Sequence, residues 1–98
     1  MTYAGIDVGK EALDLALLRS ASGEVRLHRF RNSEQGRSAL LSLLAAERPH
    51  RLVTVVLEAS GVYHVPLLRR LVDAGFPAAL ANPQSSKPVL AGLLEVRR

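Results

Sequence analysis

The spacing of the apolar residues changes once along the chain, after Arg31, and this change limits the folds that the sequence can adopt. Up to that point the apolar residues occur in short runs separated by turn residues, a pattern typical of β-strands joined as hairpins. Beyond it they recur at helical spacing in two segments, each followed by a short strand-like run. A meander followed by alternating helices and strands predicts a mixed sheet with helices packed on it.

Seven segments are predicted, in the order β-β-β-α-β-α-β. The first helix is expected to begin with Asn32 as its N-cap and to end near Glu47, before Pro49. The second helix has Pro66 in its first turn and Gly75 just beyond its end. The strands are predicted over residues 3–8, 13–18, 24–31, 52–57 and 77–81. The apolar helix faces are predicted to consist of Leu40, Leu43 and Leu44, and of Leu68, Leu71 and Val72. This order predicts the α/β class, as a ribonuclease H-like mixed sheet that is incomplete at its C-terminus.

The third predicted strand has an irregular pattern. Val25 and Leu27 alternate onto one side of the strand, whereas Phe30 falls on the other side. A bulge or a change of register near His28 would bring these apolar residues onto one face. We therefore expect an irregular ladder at this point.

Composition excludes several classes of protein. The chain has 98 residues, of which 48% are hydrophobic, so it is long enough for one small core and too apolar to be disordered. No apolar run approaches the roughly 20 residues that a bilayer requires, and no signal-peptide pattern is present at the N-terminus. We therefore expect a cytoplasmic protein with no membrane association. Cysteine is absent, which excludes disulfides and thiolate metal sites.

Two carboxylates stand out from their apolar surroundings. Asp7 lies within the first predicted strand, and Glu58 follows the apolar run of the fourth. The first and fourth strands are neighbours in a ribonuclease H-like sheet, so we expect the two carboxylates to face each other and to bind Mg²⁺ or Mn²⁺. Paired ions at such a site can promote phosphodiester chemistry. The alternative is that Asp7 caps a turn and Glu58 is simply solvated.

The charge balance suggests a polyanionic partner. Lysine and arginine total 13 against 9 acidic residues, and 11 of the 13 are arginine, whose planar guanidinium suits phosphate. An arginine bias from GC-rich coding is the alternative. The candidate nucleic-acid contacts are Lys10, Arg26, Arg29 and Arg31. Regular strand alternation would place Arg26 opposite to Arg29 and Arg31 and would break up the patch.

Tyr63 and His64 follow the second carboxylate closely and complete the set of candidate contacts. An aromatic ring near a metal site could stack on a base or a sugar of a nucleic acid. A half-buried packing role is the alternative for Tyr63, and an ordinary surface or packing role for His64.

Several of these residues form a family pattern. The sequence resembles the N-terminal domain of the insertion sequence 110 family of transposases over residues 3–83. The matching motifs are Gly-Ile-Asp-Val-Gly-Lys at 5–10, Phe30-x-Asn32 with Gly36, Leu-Glu-Ala-Ser-Gly-Val-Tyr-His at 57–64, Gly75 and Asn82-Pro83. The resemblance implies a RuvC-like domain with the ribonuclease H fold, in which an Asp-Glu-Asp-Asp tetrad binds magnesium. Asp7 corresponds to the first tetrad position and Glu58 to the second.

The resemblance also implies partners and a reaction. The family's enzymes are DNA recombinases that move their element with a structured bridging RNA as guide, and a separate domain supplies a catalytic serine. DNA and a guide RNA are therefore expected as partners, and a homodimer as the assembly. No aspartate follows Asp73, so the last two tetrad positions are unmatched. We expect a domain over residues 1–83, a divergent tail over 84–98 with a possible short helix, and no activity for this chain alone.

Three alternatives remain open at this point. The chain could be a non-catalytic nucleic-acid-binding or dimerisation module from a truncated transposase. It could derive from the sugar-kinase and chaperone ATPases, which begin with a similar Gly-Ile-Asp-x-Gly hairpin but need phosphate loops that this sequence lacks. A Holliday-junction resolvase would share the fold and Asp7 but is expected to have a longer chain.

Overall fold

A computed structural model describes residues 1–47, 53–59 and 61–81 of the chain. Its elements follow the predicted order β-β-β-α-β-α-β. Leu52 and the possible helix after Pro88 lie outside the described residues. The elements are β1 Thr2–Val8, β2 Ala12–Arg19, β3 Glu24–Arg31, α1 Glu34–Ala45, β4 Val53–Ala59, α2 Val65–Asp73 and β5 Ala78–Ala81.

The five strands form one mixed sheet in the order β3-β2-β1-β4-β5. β1 is the central strand, antiparallel to β2 and parallel to β4. β3 completes the meander, and β5 adds to β4 in parallel. This is the ribonuclease H-like arrangement that the order of elements predicted.

The core lies on one face of the sheet, under both helices. Ile6 of β1 pairs with Leu15 of β2 and Leu57 of β4, and all three side chains are fully buried. Each buried leucine or isoleucine contributes about 1.5–3 kcal/mol through removal of apolar surface from water. The helices cover this face with Leu40, Leu41, Leu44, Leu67 and Leu71.

The helix termini and faces differ in detail from the prediction. Ser33, one residue later than expected, is the N-cap of α1, and its hydroxyl accepts a 3.1 Å hydrogen bond from the backbone N–H of Gly36. A Cβ on Gly36 would overlap the carbonyl oxygen of Arg31, so only glycine fits between α1 and the end of β3. In α2 the buried residues are Leu67 and Leu71, whereas Val72 is 59% exposed.

The irregularity expected in β3 is absent, and that prediction was wrong. The β2–β3 ladder runs without interruption from the pair Ala12–Arg31 to the pair Arg19–Glu24. The apolar residues instead lie on two faces: Val25 is buried on one, and Phe30 packs against the core on the other. Leu27, on the same face as Val25, remains 43% exposed, so no bulge brings the three residues onto one buried face.

An ion-pair cluster connects the sheet to α1 at the end where β1 begins. Nε and Nη2 of Arg19 donate to the carboxylate of Glu47 at 2.8 and 3.0 Å, and Nη1 donates to Glu24 at 2.6 Å. Arg26 also contacts Glu24, at 3.2 Å. The hydrogen bonds from Arg19 hold the pKa of Glu47 below its usual range. No helix in the described part of the chain is long and apolar enough to cross a bilayer.

We predict that Glu47→Gln lowers the melting temperature at pH 7 by about 2–4 °C. A carboxyl whose pKa is lower in the folded than in the unfolded chain stabilises the fold above the unfolded-state pKa. That stabilisation is lost as the pH falls through the folded-state pKa. The difference between variant and wild type should therefore shrink as the pH falls below about 4. Thermal unfolding followed by circular dichroism between pH 3 and 7 measures it.

Glu11→Gln is the matched control, because Glu11 is exposed in the turn after β1 and its carboxylate has no ion-pair partner among the described residues. Its melting temperature should follow that of the wild type at every pH. A deficit of Glu47→Gln that stays constant down to pH 3 would show that the ion pair is not its cause.

Candidate metal and nucleic-acid site

Asp7 and Glu58 are direct partners in the parallel ladder between β1 and β4. Paired residues on neighbouring strands, about 4.8 Å apart, project from the same face of the sheet. Because Ile6 and Leu57 face the helices, Asp7 and Glu58 face the opposite side. The expectation that the two carboxylates face each other therefore agrees with the register of the strands.

The two carboxylates differ in their environment. Asp7 is exposed, whereas Glu58 is only 8% exposed and has no hydrogen-bond or ion-pair partner among the described residues. An ionised carboxylate is costly to bury without a partner, and a bound cation removes that cost. The carboxylate oxygens of Glu58 are not among the buried side-chain atoms that lack a partner, so a cation can reach them beside Asp7, and this pair is the feature of the structure that fits a divalent cation.

A third carboxylate extends the row. Asp14 of β2 pairs with Asp7 on the side away from Glu58. Arg29 of β3 pairs with Asp14 in turn and donates to both of its carboxylate oxygens, at 2.8 and 3.2 Å. These bonds and the charge of Asp14 raise the pKa of Arg29. From the sequence, Asp14 is interpreted as an ordinary solvated residue beside the first hairpin; the hairpin register between β1 and β2 was the signal that could have placed it in the row.

The donor set for a metal ion is small. Within residues 1–47, 53–59 and 61–81, no cluster of three or more His, Cys, Asp or Glu side chains is arranged to hold one. Asp14 belongs to the row, but its oxygens are engaged by Arg29. Asp7 and Glu58 therefore fit a hard cation that completes its coordination shell with water or a phosphate oxygen.

The candidate basic residues do not form one patch. Arg26 lies on the same face of β3 as Phe30, where it contacts Glu24, whereas Arg29 and Arg31 lie on the other face, which also carries Asp7. The alternative raised from strand alternation is therefore the observed arrangement. Arg31, at the end of β3, and Lys10, in the turn after β1, are exposed at the end of the sheet where β1 finishes and have no ion-pair partner in the described part of the chain.

Tyr63 and His64 lie in the connection from β4 to α2. The Tyr63 side chain is 42% exposed and passes over Gly61, whose φ of +70° is readily adopted only by glycine. His64 is the N-cap residue of α2 but makes no side-chain capping bond. Its Nδ1 atom is buried and has no hydrogen-bond partner among the described residues. Tyr63 is thus available for stacking, whereas His64 turns one ring nitrogen inward.

Solved structures that share this fold include Holliday junction proteins and a Listeria monocytogenes protein described as an N-acetylmannosamine kinase, which aligns with a TM-score of 0.52 and 19% identity over 84% of this chain and 35% of that chain. RuvC from T. thermophilus in complex with Holliday junction substrate aligns with a TM-score of 0.63 and 22% identity, over 93% of this chain and 72% of RuvC. A second Thermus thermophilus RuvC structure gives 0.62 and 23%, over 94% and 70%. The fowlpox virus Holliday junction resolvase gives 0.56 and 12%, over 84% and 61%. These similarities define the fold class as RuvC-like.

The family follows from the sequence itself. The model of the DEDD transposases of the insertion sequence 110 type, described as "Transposase", matches residues 4–92. The chain belongs to this transposase family. The match extends beyond Pro83, where the motif-based resemblance ended. Among curated proteins no significant match is found.

We predict that Glu58→Gln stabilises the metal-free protein by about 1 kcal/mol. Glutamine keeps the shape of the buried side chain but removes the desolvation cost of its charge and the repulsion from Asp7. Urea unfolding in the presence of a chelator measures the change. Asp7→Asn is the matched control: Asp7 is exposed, so its replacement should gain less. A loss of stability in Glu58→Gln would show that the buried carboxylate already has a favourable partner in the metal-free protein.

Proposed function

We propose that this chain is the N-terminal, catalytic-type domain of a DNA transposase, and that Asp7 and Glu58 bind Mg²⁺ or Mn²⁺. The observation that supports the proposal most directly is the register pairing of these two carboxylates in a chain of this family. The burial of Glu58 without a partner among the described residues adds a physical reason for a cation.

Asp7 and Glu58 would have different roles: Asp7 would contact the ligand, and Glu58 would position the cation. A bound divalent cation would supply Lewis-acid stabilisation of the charge that develops on a phosphodiester in transfer chemistry. The Asp7 carboxylate, on the exposed side, can share a cation with a phosphate oxygen of the nucleic acid. Glu58, on the buried side, is held rigidly between β1 and β5 and would fix the position of the cation relative to the sheet.

Nucleic acid would approach over the carboxylate face of the sheet. Lys10 and Arg31 lie beside this face without ion-pair partners among the described residues, and their charges would contact the backbone phosphates. The exposed ring of Tyr63 would stack on a base or a sugar at the same edge. DNA is the proposed substrate, a structured guide RNA a proposed further partner, and a homodimer the proposed assembly.

We further propose that these 98 residues do not rejoin or cleave DNA by themselves. Two carboxylates leave most of the coordination shell of one ion to water, and in-line transfer with two ions needs further acidic ligands. The only aspartates in the sequence are Asp7, Asp14 and Asp73, and Asp73 lies at the end of α2. A second candidate function, a non-catalytic nucleic-acid-binding module, keeps the basic contacts but needs no metal.

Manganese titration distinguishes these two functions. We predict that Mn²⁺ binds the wild type with a dissociation constant of roughly 0.1–1 mM, typical of an oxygen site with few protein ligands. The double variant Asp7→Asn, Glu58→Gln should lose the binding, whereas Asp73→Asn, on α2, should keep it. Electron paramagnetic resonance of free Mn²⁺ measures the binding. Equal affinity in the wild type and the double variant would favour the non-catalytic module.

Salt dependence tests the nucleic-acid contacts. We predict that duplex DNA binds with a log–log salt slope of about −2, because Lys10 and Arg31 each neutralise one phosphate at about −0.9. Arg31→Ala should reduce the slope by about 1. Arg26→Ala, which removes an arginine from the other face of β3, should leave the slope unchanged. Fluorescence anisotropy from 50 to 200 mM salt measures both. Equal losses in the two variants would contradict the proposed face.

A further inference from the structure

The side chain of Asn32, between β3 and α1, connects three parts of the chain. Its amide nitrogen donates to the carbonyl oxygen of Gly9 at 2.9 Å and to that of Tyr63 at 3.0 Å. Its amide oxygen accepts a 2.9 Å hydrogen bond from Nη1 of Arg37. Because carbonyl oxygens only accept and a guanidinium only donates, these partners fix the orientation of the amide.

The two carbonyl groups belong to loops that leave the sheet in different directions. Gly9 begins the turn from β1 into β2, and Tyr63 lies in the connection from β4 to α2. The β1–β4 ladder ends with the pair Val8–Ala59. The amide of Asn32 therefore links the two loops beyond the last pair of the ladder.

Asn32 is itself held in place through its backbone. Its backbone N–H donates to the carbonyl oxygen of Glu11 at 2.9 Å, which anchors it to the β1–β2 turn. The N-cap role that the sequence suggested for it is filled by Ser33. Its amide is thus hydrogen-bonded to the two loops and to Arg37.

The carboxylates lie one pair before the end of the ladder. Asp7 and Glu58 repel each other when both are ionised, and this repulsion acts near a strand end, where pairing opens most easily. A link beyond the ladder opposes that opening. We propose that Asn32 is a positioning residue that holds the ends of β1 and β4 together and so keeps Asp7 and Glu58 at the spacing that a divalent cation needs. The role of Asn32 in metal binding rests on the proposed function, whereas the link between the two loops does not.

Hydrogen exchange tests the link without any metal. In Asn32→Ala, the amides of residues 7–9 and 57–59 should exchange at least about tenfold faster, while those of residues 2–4 at the opposite end of β1 should change little. Ser33→Ala is the matched control: it removes the neighbouring capping bond to Gly36 and lowers stability without touching either loop. Exchange that is unchanged, or that rises equally at both ends of β1 as in the control, would overturn the link.

Manganese affinity tests the positioning role. Residues that orient metal ligands typically change affinity by about 10–100-fold when replaced, so Asn32→Ala should weaken Mn²⁺ binding about tenfold. Ser33→Ala should lower the melting temperature but leave the affinity unchanged. A residue that is merely structural would give the same result as Ser33→Ala, and that outcome at position 32 would overturn the positioning role.

The two measurements separate this inference from the proposed function. If the double variant of Asp7 and Glu58 binds Mn²⁺ as well as the wild type, the metal site fails, and the exchange data still decide whether Asn32 links the loops. If Asn32→Ala does not fold, Arg37→Met is measured in its place. Arg37→Met removes the hydrogen bond to the amide oxygen of Asn32 and leaves both hydrogen bonds from the amide nitrogen intact. This variant should give a smaller loss of affinity, about threefold, and no loss would overturn the proposal.

Discussion

The parallel pairing of β1 with β4 is the constraint on which the rest of the structure depends. One register satisfies two requirements: it buries Ile6 beside Leu57 under the helices, and it places Asp7 beside Glu58 on the opposite face. A slip of one residue would turn an apolar side chain of β4 away from the core and separate the carboxylates. The hydrophobic effect, which is the larger energy, therefore fixes the geometry of the charged site without any direct attraction between the two carboxylates.

This arrangement places an unfavourable interaction inside a stable scaffold. Glu58 is buried beside another carboxylate and has no partner among the described residues, while the pairs on either side of it are held by the ladder. The ladder fixes the position of Glu58 although its charge and that of Asp7 repel each other. Asp14 lies in the same row, but Arg29 neutralises it, so the unbalanced negative charge is confined to Asp7 and Glu58. The location of that imbalance is what makes this edge of the sheet a candidate site.

The sequence predicted the structural features that burial determines and missed those that depend on partners distant in the chain. The order of elements follows from apolar runs whose period is visible locally, and the expectation that Asp7 faces Glu58 follows from the strand order of a ribonuclease H-like sheet. The N-cap of α1 was wrong because Asn32 and Ser33 are both good capping residues, and nothing local shows that the Asn32 amide is engaged by loops from elsewhere. The bulge in β3 was wrong because a single covered face was assumed. The partner of Arg29 depended on cross-strand register, which alternation alone does not supply.

The distribution of charge gives the two ends of the sheet different roles. At the end where β1 begins, Arg19 and Glu47 neutralise each other and tie the sheet to α1, so these charges are used for stability. At the end where β1 and β4 finish, Asp7, Glu58 and Arg31 have no ion-pair partner among the described residues. These charges of both signs, at one end of the sheet, form no ion pair that stabilises the fold within the described part of the chain, but they match the proposed ligand, which carries both a cation and phosphates. A metal-bound nucleic acid has that composition, whereas a purely anionic ligand would meet repulsion from the carboxylates.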